Sequence, residues 1–364
     1  MRSRILSIAL LARFVAPLAA QDPSSTAIIV DPQFVSYTLG TGATARTITQ
    51  LGVPFAVIVP FSDRFNIDIS SSYANSQVKV PGAATSTING LTDTQLRGNL
   101  TLGDNAAVVT LGVNLPSGQY KVPDGQQAAA GQIGNDFLIY PVTSMGNGLA
   151  ATGGIGFAQT LGDWNLGVGA SFRYSTPFDA YQVQTQVLRF TPGNEARIRV
   201  GLDRPVGDGS FNVSLTYSKF GKDQADTYTA PTGDRALAQT ALSVPVGSGG
   251  DVLLSAWDLY RASSSQVGPP PQSTSPWENV ANAGVALGFH MGDTYIQPNI
   301  EERIWNVDGN KAGLLTNVGV RLRFDMMGLS MNPSATYSLG SLYTVGQPAT
   351  DVTGFKASLL IRLH

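Results

Sequence analysis

The stretch GGIGFAQTLGDWNLGVGASFRY, residues 153–174, restricts the fold more than any other part of this chain. It reads as a strand, a tight turn at Gly162-Asp163 and a second strand. After the turn, Trp164, Leu166, Val168, Ala170, Phe172 and Tyr174 alternate with Asn165, Gly167, Gly169, Ser171 and Arg173. Period-two alternation over eleven residues is long for a soluble strand, which usually runs to about five or six. One face is apolar and bracketed by aromatics; the other is small or polar. Such a sheet must hide its apolar face on a protein core or in lipid. In a membrane barrel that face meets hydrocarbon, aromatics mark both interfaces and the lumen is polar.

Composition favours lipid. Only 13% of the 364 residues are charged, about half the usual ~25% of a soluble domain, and 40 are glycine. No run after residue 20 supplies the roughly 18 apolar residues of a membrane helix. A net charge of -2 gives no basic surface for nucleic acid, and the absence of cysteine fits a Gram-negative envelope protein. Residues 1–20 read as an export signal, with Arg2 and Arg4 ahead of apolar Ile5 to Leu11 and a cut after Ala19-Ala20. Residues 21–32 read as a polar periplasmic lead-in, and 33–364 as the barrel.

The unit repeats. Leu51, Val53, Phe55, Val57, Val59 and Phe61 share a face before a turn at Ser62-Asp63-Arg64; Pro54 and Pro60 imply a bulge there. Further turns fall at Gly103-Asp104-Asn105, Gly207-Asp208-Gly209, Gly247 to Gly250, Met291-Gly292-Asp293 and Asp325 to Gly328. With Gly162-Asp163 these seven turns imply fourteen strands, and segments 34–39 and 353–363 raise the number to sixteen. The expected class is therefore all-β: an antiparallel up-and-down transmembrane β-barrel of sixteen strands, or fourteen if segment 34–39 lies outside the wall. The other connections are longer and polar: 74–93, 116–148, 175–194, 220–234, 263–278 and 340–352. Short turns on the periplasmic side and long loops outside are the barrel pattern. Aromatics near the short turns (Phe61, Phe65, Trp164, Phe211, Phe289, Tyr295, Phe324) and at the far ends (Tyr73, Tyr174, Tyr217, Trp305, Tyr337) suggest two girdles. Glu302 falls on the outward set, near the strand end beside Trp305, which implies an interfacial depth.

Three segments, PFAVIVPFSDRFNIDISSSY (54–73), LTDTQLRGNLTL (91–102) and LGVNLPSGQ (111–119), resemble the outer-membrane meta-pathway phenol-degradation transporters, a family distantly similar to long-chain fatty-acid transporters. The resemblance covers mainly the first third of the chain. It implies uptake of small hydrophobic or aromatic solutes, and assembly by the barrel-assembly machinery. The chain departs from that pattern by ending Leu363-His364 instead of in an aromatic, and by having only a short segment before its first strand. An N-terminal plug mechanism is therefore not carried over.

The inward set holds Arg97, Arg173, Arg197, Arg199, Arg303, Arg321, Arg323, Lys356 and Arg362 against Asp68, Glu195, Asp203 and Glu301. That bias attracts anions and carboxylates into a pore. The bland alternative is that each Arg braces the wall by pairing with an acid. No catalytic constellation is visible: the two histidines, His290 and His364, sit apart, and without cysteine they make no ordinary zinc site. Neither a metal nor a cofactor is expected. The expected function is passive uptake of small hydrophobic or aromatic carboxylate solutes across the outer membrane. The alternative is a structural or surface-interaction barrel whose lumen is occluded by loop 116–148. The sequence leaves the oligomeric state open.

Overall fold

The computed structural model describes residues 25–364 apart from 104–105, 120, 184–185, 227, 248, 266–273 and 364; the expected signal segment lies outside the described residues. Eighteen hydrogen-bonded segments make a closed antiparallel barrel of sixteen wall strands, because two of the strands are each broken once. In chain order the wall is β1 (Ala27–Val30 and Gln33–Leu39), β2 (Arg46–Ser62), β3 (Phe65–Lys79), β4 (Ser86–Leu91 and Thr94–Leu102) and β5 (Ala107–Leu115). A helix, α1 (Asp124–Ile133), interrupts it before β6 (Ala150–Leu161), β7 (Trp164–Ser175), β8 (Glu195–Val206), β9 (Gly209–Phe220) and β10 (Arg235–Val246). The wall ends with β11 (Gly250–Arg261), β12 (Glu278–Met291), β13 (Thr294–Val307), β14 (Asn310–Met326), β15 (Leu329–Leu342) and β16 (Thr350–Leu363). Both pieces of β1 pair with β16, through Ile29↔Arg362 and Val35↔Lys356, so among the described residues no strand of the wall is left as an edge. Closure is what a bilayer demands, since an unpaired backbone group in hydrocarbon costs several kcal/mol.

The wall begins at Ala27, inside the stretch read from sequence as lead-in. Ile28, Ile29 and Val30 already pair with β2 and β16, and Asp31-Pro32 then breaks the ladder. Five of the seven short turns, at 62–64, 162–163, 207–209, 291–293 and 325–328, lie where the sequence places them; the other two include residues 104–105 and 248, outside the described residues, and the strands that flank them pair with each other. Gly162, Gly207 and Gly292 supply the positive φ (57° to 63°) that a two-residue hairpin with glycine first requires. The opposite end also carries one tight turn, Asp308-Gly309, with both residues at positive φ. The bulge expected from the prolines appears as a register shift between Pro60 and Ser62.

Leu100, Leu111, Phe157, Phe172, Ile198, Leu215, Leu254, Val318 and Leu339 all face outward and are exposed. A soluble protein would not leave so continuous an apolar band in water. On a closed sixteen-strand wall it is the lipid face of a bacterial outer-membrane barrel. Tyr174, Tyr217 and Tyr337 sit outward near the long-loop end, as the girdle reading expects. Trp305 and Tyr295 do not: Trp305 stacks on Phe137 (5.7 Å) and the Tyr295 hydroxyl donates to Asp251 at 2.6 Å, both inside the wall. Alternation explains the difference, since each shares a face with inward Arg303. Glu302 is exposed on the outer face, between Ala283 and Thr316.

Candidate functional site: the lumen and its plug

A sixteen-strand barrel is too wide for wall side chains to fill. Here the connection between β5 and β6 turns into it. Phe137, Leu138, Tyr140 and Val142 are 1–2% exposed, packed among Tyr37, Ile48, Ile88, Val280, Leu315 and Val352 of the wall. Residues 116–119 and 121–149 thus form a plug that enters from the long-loop end and returns to it. Near its start, Val122–Pro123 adds in parallel to a small sheet built from the loops after β7 and β9.

Burying this segment would orphan its backbone, so the wall supplies partners. The Gln50 amide donates to the Val142 carbonyl at 2.7 Å and accepts from the Val142 N–H at 2.8 Å, replacing a strand neighbour. The Tyr37 hydroxyl and the Lys356 ammonium both donate to the Leu138 carbonyl, at 2.9 and 3.3 Å. Arg303 donates to the Phe137 carbonyl at 2.7 Å and lies over Trp257. Arg261 binds Asp136 at 2.6 Å and Glu278 at 3.1 Å, all three largely buried. Burial, then the neighbouring Tyr37, pushes the Tyr140 phenol well above its ordinary range, so it stays neutral.

The stem is pinned separately. β4 breaks at Thr92-Asp93, and the Asp93 carboxylate accepts from the Gly118 and Asn147 N–H groups and the Asn114 amide, at 3.1, 2.6 and 2.9 Å. One buried carboxylate therefore ties both ends of the plug to the wall. Gly118 has no room for a side chain, because an added Cβ would lie 2.7 Å from the Asp93 nitrogen. The family-like motif LGVNLPSGQ thus supplies the plug stem through Asn114, Ser117 and Gly118.

The plug covers one arc only. An added Cβ at Gly313 would meet the Phe137 ring at 2.8 Å, and one at Gly52 would meet Pro141 at 3.1 Å. On β6, β7 and β8, the inward glycines Gly154, Gly156, Gly167, Gly169 and Gly201 meet only atoms of their own wall within 4 Å. These are adjacent in register, as in Gly156↔Gly169 and Gly167↔Gly201. They form a stretch of wall without side chains, a glycine floor on the side of the lumen away from Phe137 and Pro141.

The nine cations named from sequence divide accordingly. Arg303 and Lys356 hold the plug. Arg197 pairs with Glu195 at 2.7 Å, and Arg97 lies 3.6 Å from Asp68. Arg199 is exposed opposite Gly169 and Thr216, and Arg173 stands opposite Thr152 and Glu195. Arg97, Arg173, Arg197 and Arg199 thus lie on or beside the strands of the glycine floor. Arg321, Arg323 and Arg362 lie apart from them, in the short-turn halves of β14 and β16. Arg261, Asp136 and Gln50 were missed by sequence reading. For Arg261 the signal was there, because it continues the inward alternation of Asp251, Ser255 and Trp257. For Asp136 and Gln50 no local pattern could show a partner some 90 to 125 residues away.

No protein-family model matches this chain, and no curated protein sequence matches it. Solved structures do. The TodX monoaromatic hydrocarbon channel deltaS2 mutant matches at 8% identity over 93% of this chain and 90% of its own, with a TM-score of 0.47. The CymD monoaromatic hydrocarbon channel matches at 7% identity over 94% and 91%, with a TM-score of 0.45. A Rhodopseudomonas blastica porin triple mutant matches at 11% identity over 93% and 100%, with a TM-score of 0.41. At these identities the chain's assignment to the outer-membrane barrels rests on its own closed wall and lipid-facing band.

Proposed function

We propose that this barrel lets small solutes cross the outer membrane passively, along the lane between the plug and the β6–β8 wall. The observation that carries the reading is the glycine floor: nothing from the plug lies within 4 Å of where those side chains would begin. Arg199, exposed beside that floor and opposite only Gly169 and Thr216, favours anionic solutes, whereas Arg97 and Arg197 are already met by Asp68 and Glu195. A flat, partly apolar carboxylate suits a path with a bare peptide floor on one side and a hydrocarbon-rich plug on the other. The reaction needs no catalytic group; selection follows from width and charge.

A second reading is favoured by one observation. The plug buries Phe137, Leu138, Tyr140 and Val142 as completely as a protein core would. A structural barrel with an occluded lumen would be built the same way. Conductance in a planar bilayer separates the two. The channel reading expects steady single-channel current in potassium chloride, faster liposome swelling with benzoate than with a neutral sugar of similar size, and a large loss of current in Gly169→Trp. Absence of both current and swelling in folded protein would leave the occluded barrel. Current untouched by Gly169→Trp would remove the lane.

A further inference from the structure

The short-turn mouth holds a second charged place, outside both plug and lane. Arg323 on β14 faces inward beside Tyr295, and Arg362 on β16 faces inward between Ile29 and Ser330. Only β15 separates them, and with a two-residue offset along the strands their backbones stand about 12 Å apart. Between them β15 presents short polar side chains, Ser330, Asn332 and Ser334. Neither arginine has an ion pair among the described residues, and Arg362 Nε is buried without a hydrogen-bond partner.

The nearby acids do not answer them. Asp251 accepts the Tyr295 hydroxyl at 2.6 Å. Asp325, inward at the turn end of β14, is exposed and makes no ion pair with either arginine among the described residues. Arg321, one inward position above Arg323, donates to Gln297 at 3.4 Å and adds a third positive charge. A planar guanidinium offers five donors in a fork that matches the oxygens of a carboxylate or phosphate. Two such forks over a floor of neutral hydroxyl and amide groups have donors to spare and lack an anionic partner among the described residues.

We propose that Arg323 and Arg362 form an oxyanion-binding station at the short-turn mouth, with Ser330 and Asn332 as its floor. It takes the carboxylate or phosphate group of a solute. This deepens the uptake reading by naming the group on the solute that the mouth recognises, but binding at the station does not require the lane to conduct. The test is calorimetric titration of the whole barrel, folded in detergent, with inorganic phosphate, acetate and chloride at equal ionic strength. Phosphate and acetate should bind more tightly than chloride. Arg323→Gln/Arg362→Gln should weaken phosphate binding at least about tenfold, the scale of one lost charge-assisted hydrogen bond. Arg323→Lys/Arg362→Lys should weaken it less. Arg204→Gln, an outward arginine stacked 5.0 Å over Trp164, should leave it unchanged. Heat-modifiable gel migration checks that each variant is folded. Failure of the wild-type protein to bind any oxyanion better than chloride overturns the station, whether or not the barrel conducts. Equal loss in Arg204→Gln does the same. Oxyanion binding without current would sink the uptake reading and leave the station standing.

Discussion

The two arcs of the lumen wall are made of the same kind of strand and do opposite things. On β13 to β16 and β1 to β4, inward glycines and small residues receive the plug: Phe137 lies over Gly313 and Pro141 over Gly52. On β6 to β8, inward glycines receive nothing. A glycine in a strand usually weakens it, having no side chain to pack. The first arc recovers that loss through contact with the plug. The second does not, and its cost is consistent with space being kept for something that passes. A missing side chain thus has two physical meanings in one sheet, and only the opposing atoms distinguish them.

The largest expected effect removes the asymmetry altogether. Replacing residues 119–146 by a short Gly-Ser linker should raise single-channel conductance several-fold, because the filled arc then becomes water. Unchanged conductance would mean that the plug does not limit the path. Next in size is the buried ion pair. Arg261→Met leaves Asp136 without its guanidinium among apolar neighbours, a loss of about 3–5 kcal/mol for a buried pair broken on one side. Hydrogen exchange should speed up at residues 135–142 while the amides of β6 to β8 stay protected. Uniform loss of protection would show that plug and wall unfold as one unit. The smallest effect is the sharpest comparison. Gly313→Ala should loosen the plug by about 1–3 kcal/mol, because its Cβ would press on the Phe137 ring. Gly169→Ala should cost little, since its Cβ would meet only the Ile155 carbonyl at an ordinary 3.6 Å. Equal effects from the two alanines, read by the same exchange experiment, would erase the distinction between the arcs.

The barrel was legible because its cause is local. Period-two alternation and glycine-aspartate turns act within a hairpin, so the turns at Gly162, Gly207 and Gly292 and the inward face of β7 could be read along the chain. Trp305 was read as a girdle residue because an aromatic near a strand end looks alike from either side of the wall. Its alternation with Glu302 and Ile304 would have turned it inward, onto Phe137.

What the sequence settled alone was the lipid-facing band and the seven hairpins, since both follow from alternation and turn spacing under the bilayer's demand for a paired backbone; the choice between fourteen and sixteen strands waited on the pairing of segment 34–39 with β2 and β16. The tertiary structure decided which cations remain available. Arg303 and Lys356 look identical in sequence to Arg199 and Arg323, yet they are held by the carbonyls of Phe137 and Leu138. Those carbonyls come from a segment more than 160 residues away, and no local pattern encodes a contact across that distance.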